Sequence, residues 1–155
     1  MIEIERKFLV KSMHFVDNAV SSTKIIQGFL NTHPERTVRI RIKEEKGFLT
    51  VKGKSNETGT TRFEWETEIA HIDAQKLLQL CEKGVLEKTR YLVPFEGHNF
   101  EVDVFDGENK GLILAEIELT TESELFQKPH WLGEEVTGDI KYCNSQLSKQ
   151  PFNTW

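Results

Sequence analysis

The stretch TVRIRIKEEKGFLTVKGK, residues 37–54, decides the fold because apolar and polar side chains alternate along it twice in succession. In 37–43 and again in 48–54, polar residues, most of them bases, occupy every second position. Strict alternation with a period of two is typical of β-strands that have one apolar and one polar face. The dipeptide Lys46-Gly47 between the two segments predicts a hairpin turn, and consecutive hairpins predict an antiparallel sheet.

Six further segments alternate in the same way, which brings the predicted number of strands to eight. They are 2–10, 24–30, 61–69, 88–91, 100–104 and 115–119. The sequence also predicts a helix over 72–83, ended by Gly84, and a second helix over about 140–149. No linker, repeat or low-complexity tract interrupts this series. We therefore predict one mainly β (α+β) domain over residues 1–155.

The composition excludes several classes of protein. The chain has 20 Lys and Arg against 25 Asp and Glu, and this net charge of -5 argues against a general nucleic-acid partner. No apolar run approaches the ~18 residues of a membrane helix, and the N-terminus lacks the pattern of a secretory signal. Cys81 and Cys143 are isolated thiols, which is typical of reduced cysteines. We expect a cytoplasmic protein without a membrane partner and leave a homodimer open.

The charged strand faces are compatible with two architectures. In a sandwich, the apolar faces pack together and the charged faces meet water. This is the more common arrangement. In a closed barrel turned the other way, the charges line a tunnel and the apolar faces lie outward under helices. The third and fourth strands are basic on their polar face, whereas the seventh and eighth are acidic. This separation by sign favours a tunnel that holds both an anion and a cation.

The first strand carries the motif Glu3-Ile4-Glu5-Arg6-Lys7, which places Glu3, Glu5 and Lys7 on one face. In its context this motif resembles the signature of the CYTH superfamily, the triphosphate tunnel metalloenzymes, named for class IV adenylate cyclases and thiamine triphosphatases. The resemblance continues in order along nearly the whole chain. It includes residues 27–30, 38–41, 49–53, 62–66, 88–91, 100–105, 111–118 and 132–137.

The resemblance implies a closed eight-stranded antiparallel β-barrel with a few flanking helices and with the charges inside. This expectation replaces the sandwich. Phe29 stands where relatives often carry a tyrosine after Gln-Gly, so we assign no role to Phe29.

Phosphoryl transfer depends mainly on positioning and charge neutralisation, so cations are the expected triphosphate ligands. The candidate triphosphate-binding residues are Lys7, Arg39, Arg41, Lys52, Lys88 and Arg90. The lumenal carboxylates are oxygen ligands that suit Mg²⁺ or Mn²⁺, and one or two ions are expected. By resemblance the metal ligands are Glu3, Glu5, Glu116 and Glu118, followed by Asp103 and Glu101, with Glu64 and Glu66 as helpers. No histidine or cysteine spacing predicts zinc.

The expected reaction is hydrolysis of a triphosphate, with Glu5, Glu116, Glu118 and Lys7 as the catalytic residues. Glu116 or Glu118 would take the proton of the attacking water, and neither a side-chain nucleophile nor a Walker loop is present. Inorganic tripolyphosphate is the favoured substrate, and nucleoside triphosphates, thiamine triphosphate and longer polyphosphates stay open. Two alternatives are an adenylate cyclase of the same fold and a polyphosphate- or nucleotide-binding module without turnover.

Overall fold

The computed structural model describes residues 1–155, and its strands form one antiparallel sheet that closes on itself. The strands of the closed part are β1 (Ile2–Val10), β2 (Ser21–Asn31), β3 (Arg36–Lys43), β4 (Lys46–Gly53), β5 (Thr61–Ile69), β6 (Leu86–Phe95), β7 (His98–Phe105) and β8 (Ile113–Glu118). Their order around the barrel is β5-β4-β3-β2-β6-β7-β8-β1, and β5 pairs with β1 to close it. The predicted eight-stranded barrel is therefore confirmed.

The strand register places the charged side chains inside the barrel. Residues directly opposite each other in an antiparallel pair share one face of the sheet. Lys7 is opposite Glu116, and Arg90 is opposite Asp103. The alternating apolar residues consequently lie on the outer face, as the barrel interpretation of the sequence requires.

The apolar outer faces are covered by two different elements. Helix α1 (His71–Gln79) lies on β3 and β4, where Ala74 packs with Ile40 and Ile42. On the other side, a short 3-10 helix at Met13–Asn18 and the segment before Trp131 cover a larger aromatic core. No helix of the molecule has the length and apolarity needed to cross a membrane.

The C-terminal segment closes one end of the lumen. It contains a 3-10 turn at Ile140–Tyr142 and the short helix α2 (Asn144–Leu147). Leu147 is fully buried against Phe105 and Leu114, which face inward because they are opposite Lys88 and Asp103 in the register. The lumen is thus charged along most of its length and apolar at this end.

The turn between β3 and β4 and the end of α1 differ in position from the sequence prediction. The hairpin between β3 and β4 turns at Glu44 and Glu45, since Lys46 and Gly47 are already paired with β3. Gly47 is needed for packing instead, because a Cβ there would lie 2.5 Å from the Cβ of Ala74. The helix predicted over 72–83 ends at Gln79, and the chain then returns to β2, where the Glu82 amide donates to the Phe29 carbonyl.

The C-terminal part also differs from the prediction. The helix expected over about 140–149 is broken at Cys143, whose backbone is extended. A ninth strand, β9 (Leu132–Glu135), pairs with the second half of β1. Its four residues are too few for alternation to be recognised in the sequence.

Candidate active site

An acidic wall is formed by the adjacent strands β1, β8 and β7. In the register, Glu5 is opposite Glu118, and Glu101 is opposite Glu116. Glu3 lies two residues before Glu5 on the same face of β1. The structure therefore brings five of the six predicted metal ligands to neighbouring positions on one side of the lumen. Neither Glu5 nor Glu118 forms an ion pair with a base.

Glu5 and Glu116 form a pair of partly buried acids. Burial, together with the charges of Glu116 and Glu3, raises the pKa of Glu5 to about 8. Burial alone would raise the pKa of Glu116 too, but the cations Lys7, Arg90 and Lys88 hold it well below its usual range. Glu5 therefore holds a proton beside the ionised Glu116. This pair offers a position where a cation can replace a proton.

A basic wall lies on β3, β4 and β6. Arg39, Arg41, Lys52 and Lys88 are each exposed by less than a tenth. Arg41 differs from the other three because it forms no ion pair with an acid. Its buried Nε, like that of Arg39, has no hydrogen-bond acceptor. Burial, with the neighbouring charges of Arg39 and Arg90, lowers the pKa of Arg41 to about 9. A buried guanidinium without a partner is costly, so this wall is built to receive an anion.

The other bases of this wall are held by acids of the lumen. Lys52 Nζ lies 2.9 Å from Glu3 Oε2, and Arg39 Nη2 lies 3.3 Å from Glu66 Oε2. These contacts fix the directions of the basic side chains, which lowers the entropy cost of orienting them on a ligand.

Asp103 binds two cations at once. Its Oδ1 accepts from Arg90 Nε at 2.7 Å, and its Oδ2 accepts from Lys88 Nζ at 2.7 Å. The side chains of Lys88 and Asp103 are each 1% exposed. Glu101 is in contact with Arg90 as well. The prediction that Asp103 and Glu101 bind metal stays a prediction, and in this structure both orient the basic wall.

Lys7 connects the acidic wall to the C-terminal segment. Its Nζ lies 3.5 Å from Glu116 Oε1 and donates to the Tyr142 carbonyl oxygen at 3.3 Å. The side chain is therefore positioned beside the acid pair, as its predicted place in the motif requires.

Two polar residues at the closed end, Gln27 and Asn144, are not among the residues predicted from the sequence. Gln27 is fully buried and donates through Nε2 to Asn144 Oδ1 at 2.6 Å. Gln27 lies on the inward face of β2 opposite Arg41, but Ile25 and Phe29 share that face, so the alternation of polar and apolar residues does not identify it. Asn144 carries no alternation signal either, because it lies outside the strands.

The donor set of the acidic wall fits a hard cation. No three His, Cys, Asp or Glu side chains are arranged as a ligand group for one ion, and the acids stand in pairs. Mg²⁺ is usually bound by one or two carboxylates together with substrate phosphates and water rather than by a complete protein cage. The partly buried Glu5–Glu116 pair has the donor atoms that such a site requires.

The fold and the two walls define a tunnel protein whose lumen is shaped for an anion and a cation together. Residues 1–148 match the CYTH domain, and the chain belongs to this family. An inorganic triphosphatase of Acetivibrio thermocellus is 47% identical over 154 residues, covering 99% of this chain and 97% of that protein. An inorganic triphosphatase of Nitrosomonas europaea is 37% identical over 153 residues, covering 96% and 97%. The crystal structure of the inorganic triphosphatase NE1496 has a TM-score of 0.69 and 34% identity, covering 94% of this chain and 93% of that one.

Proposed function

We propose that this protein is a metal-dependent inorganic triphosphatase, which converts tripolyphosphate and water into pyrophosphate and orthophosphate. The observation that carries the proposal is Arg41, a buried cation of the lumen without an acidic partner. The similarity of almost the whole chain to two proteins named inorganic triphosphatase supports the same reaction.

The basic wall would bind the phosphate chain. Arg39 and Arg41 can donate two parallel hydrogen bonds each to phosphate oxygens, whereas Lys52 and Lys88 act as point charges. Lys7 would contact the part of the chain that lies nearest the acid pair. Because Arg39, Lys52 and Lys88 are already held by acids of the lumen, these side chains would lose little conformational entropy on binding.

Glu5 and Glu116, with Glu3, Glu118 and Glu101 nearby, would hold one or two Mg²⁺ or Mn²⁺ ions. A bound divalent ion would neutralise phosphate charge and lower the pKa of the attacking water. The carboxyl oxygens of this wall would orient that water toward the terminal phosphorus.

Glu118 is the favoured acceptor of the water's proton. Burial, with the charges of Glu3 and Glu101, raises the pKa of Glu118 above its ordinary value. A general base works best when its pKa approaches the working pH. Glu116 is a poorer base, because the surrounding cations keep its pKa low.

The products formed from a panel of triphosphates test the proposal and its alternatives. Orthophosphate and pyrophosphate from tripolyphosphate, faster than from ATP or thiamine triphosphate, are the expected result. Pyrophosphate with cyclic AMP from ATP would instead identify an adenylate cyclase. Tight binding of tripolyphosphate without any product would identify a binding module. A cytoplasmic location and a homodimer stay predictions.

A further inference from the structure

The closed end of the lumen contains an asparagine that contacts one of the tunnel cations directly. Asn144 is the first residue of α2, and its Oδ1 accepts from Lys88 Nζ at 2.9 Å. The same oxygen accepts from Gln27 Nε2 at 2.6 Å. The C-terminal segment therefore contacts Lys88 through this one side-chain oxygen.

Lys88 is held on several sides. An ammonium group has three N–H donors, and two of those of Lys88 are used by Asp103 Oδ2 and Asn144 Oδ1. The ring of Phe105 lies 5.4 Å from Nζ. One donor is left for a ligand in the lumen, and the two hydrogen bonds fix its direction.

We propose that Asn144 is a positioning residue for the triphosphate: it orients the ammonium group of Lys88 so that the remaining N–H donor points at a phosphate oxygen. The identity of the anion rests on the proposed function. Asn144 acts through Lys88 and does not need to touch the substrate. Without its oxygen, Lys88 would still pair with Asp103 but would rotate about that contact.

A role limited to anchoring α2 would not need the contact with Lys88. The helix is already held by the fully buried Leu147, which packs in the apolar end of the lumen. Gln27 would also hold Asn144 in place by itself. The added contact with the cation is what an orienting role requires.

The test is calorimetric binding of tripolyphosphate to the 155-residue chain in EDTA, where turnover does not interfere. Asn144→Ala should raise Kd about tenfold, the size expected for losing one charge-assisted hydrogen bond. The control is Ser148→Ala, which removes the hydrogen bond to the Ser145 carbonyl at the end of the same helix. It loosens α2 without touching the lumen and should leave Kd unchanged. An unchanged Kd in Asn144→Ala would overturn the proposal.

A double-mutant cycle separates orientation from anchoring. In a Lys88→Met background, Asn144→Ala should change Kd no further, because its target has gone. An equal loss of affinity in both backgrounds would refute the proposal.

If Lys88→Met does not fold, the ¹⁵N resonance of the Lys88 ammonium group replaces the cycle. That resonance should show faster hydrogen exchange in Asn144→Ala, and an unaltered resonance would contradict the proposal. Since binding is measured, a wild type that binds without releasing phosphate contradicts only the proposed function.

Discussion

Glu5 is the residue of the lumen with the most unusual charge environment. It is a partly buried acid without a basic partner, beside the ionised Glu116, and it keeps its proton up to a pH of about 8. In a protein that needed only to bind an anion, such an acid would be a cost without a benefit. Its position is explained if a cation takes the place of the proton.

Replacing Glu5 with glutamine should separate turnover from binding. Glu5→Gln keeps the size of the side chain but removes one metal-binding charge, so phosphate release should fall about 100-fold or more. Tripolyphosphate should still bind, because the basic wall is intact. The matched control is Glu134→Gln, at an exposed position in β9, which should keep full activity. If binding and rate fall in proportion, Glu5 has a different role.

The pH dependence of stability gives a second test of Glu5. In the folded chain its pKa is about 8, against an ordinary value of 4.5, so the native state holds a proton that the unfolded state loses. Its contribution to the free energy of unfolding should therefore fall as pH rises from about 5 to about 8, by at most about 1.4 kcal/mol per pH unit. Urea titrations in EDTA measure this, and Glu5→Gln should have a flatter profile than wild type. If the free energy of unfolding changes with pH by the same amount in wild type and in Glu5→Gln, the pKa of Glu5 is close to its ordinary value.

At the scale of single elements, β3 carries exposed and buried bases on one strand. Arg36 is exposed at its start, and Arg41 is buried in the lumen. The difference in burial follows the alternation of β3, because Arg41 shares the lumenal face of Arg39 and Lys43, whereas Arg36 has the position of the outer face. The strand thus provides its own comparison between a surface charge and a ligand-binding charge.

Arg41→Met should weaken binding and stabilise the free protein. Removing an unpaired buried charge relieves its desolvation cost, so the melting temperature without ligand should rise. Loss of a bidentate phosphate contact should at the same time raise Kd for tripolyphosphate about tenfold or more. Arg36→Met, the control, should change neither quantity. A lower melting temperature with unchanged Kd would place Arg41 in the structural framework instead of the binding site.

The contact between α1 and β4 also makes a quantitative prediction. Gly47→Ala places a Cβ 2.5 Å from that of Ala74 and should lower the free energy of unfolding by about 1 to 3 kcal/mol through overpacking. Gly53→Ala is the matched control, because its new Cβ would lie 3.5 Å from Phe63 Cβ, an ordinary contact. Adding Ala74→Gly to Gly47→Ala should restore part of the loss in chemical denaturation. If Gly47→Ala and Gly53→Ala lower the free energy of unfolding equally, α1 can move away from β4 and relieve the overpacking at this contact.

For the whole molecule, the alternating pattern located all eight barrel strands but could not show which face of each strand lies inside the barrel. An apolar face toward a core and an apolar face under helices give the same sequence pattern, so the resemblance of the motif around Glu5 was needed to place the charges inside. The bases and acids of the walls could be predicted because they lie at alternating strand positions. Asn144 could not be predicted, since its contact with Lys88 depends on how the C-terminal segment folds back across the barrel.

The partners within each wall could not be predicted either. Asp103 has the residue type of a metal ligand and the position of one, yet the structure pairs it with Lys88 and Arg90. The hairpin of β6 and β7, which turns at Glu96-Gly97, places Asp103 opposite Arg90. The residue type alone does not show that this neighbour takes the position of a metal ion.

We propose that the two walls of the lumen work together: the basic wall binds the triphosphate and the acidic wall binds a divalent cation. The most direct test is orthophosphate release from tripolyphosphate by the wild-type chain, first with Mg²⁺, then with excess EDTA, then with Mg²⁺ restored. We expect phosphate release with Mg²⁺, loss of that activity in EDTA and its full recovery when Mg²⁺ is restored. Circular dichroism should show that the chain stays folded throughout. Undiminished phosphate release in EDTA would contradict this proposal.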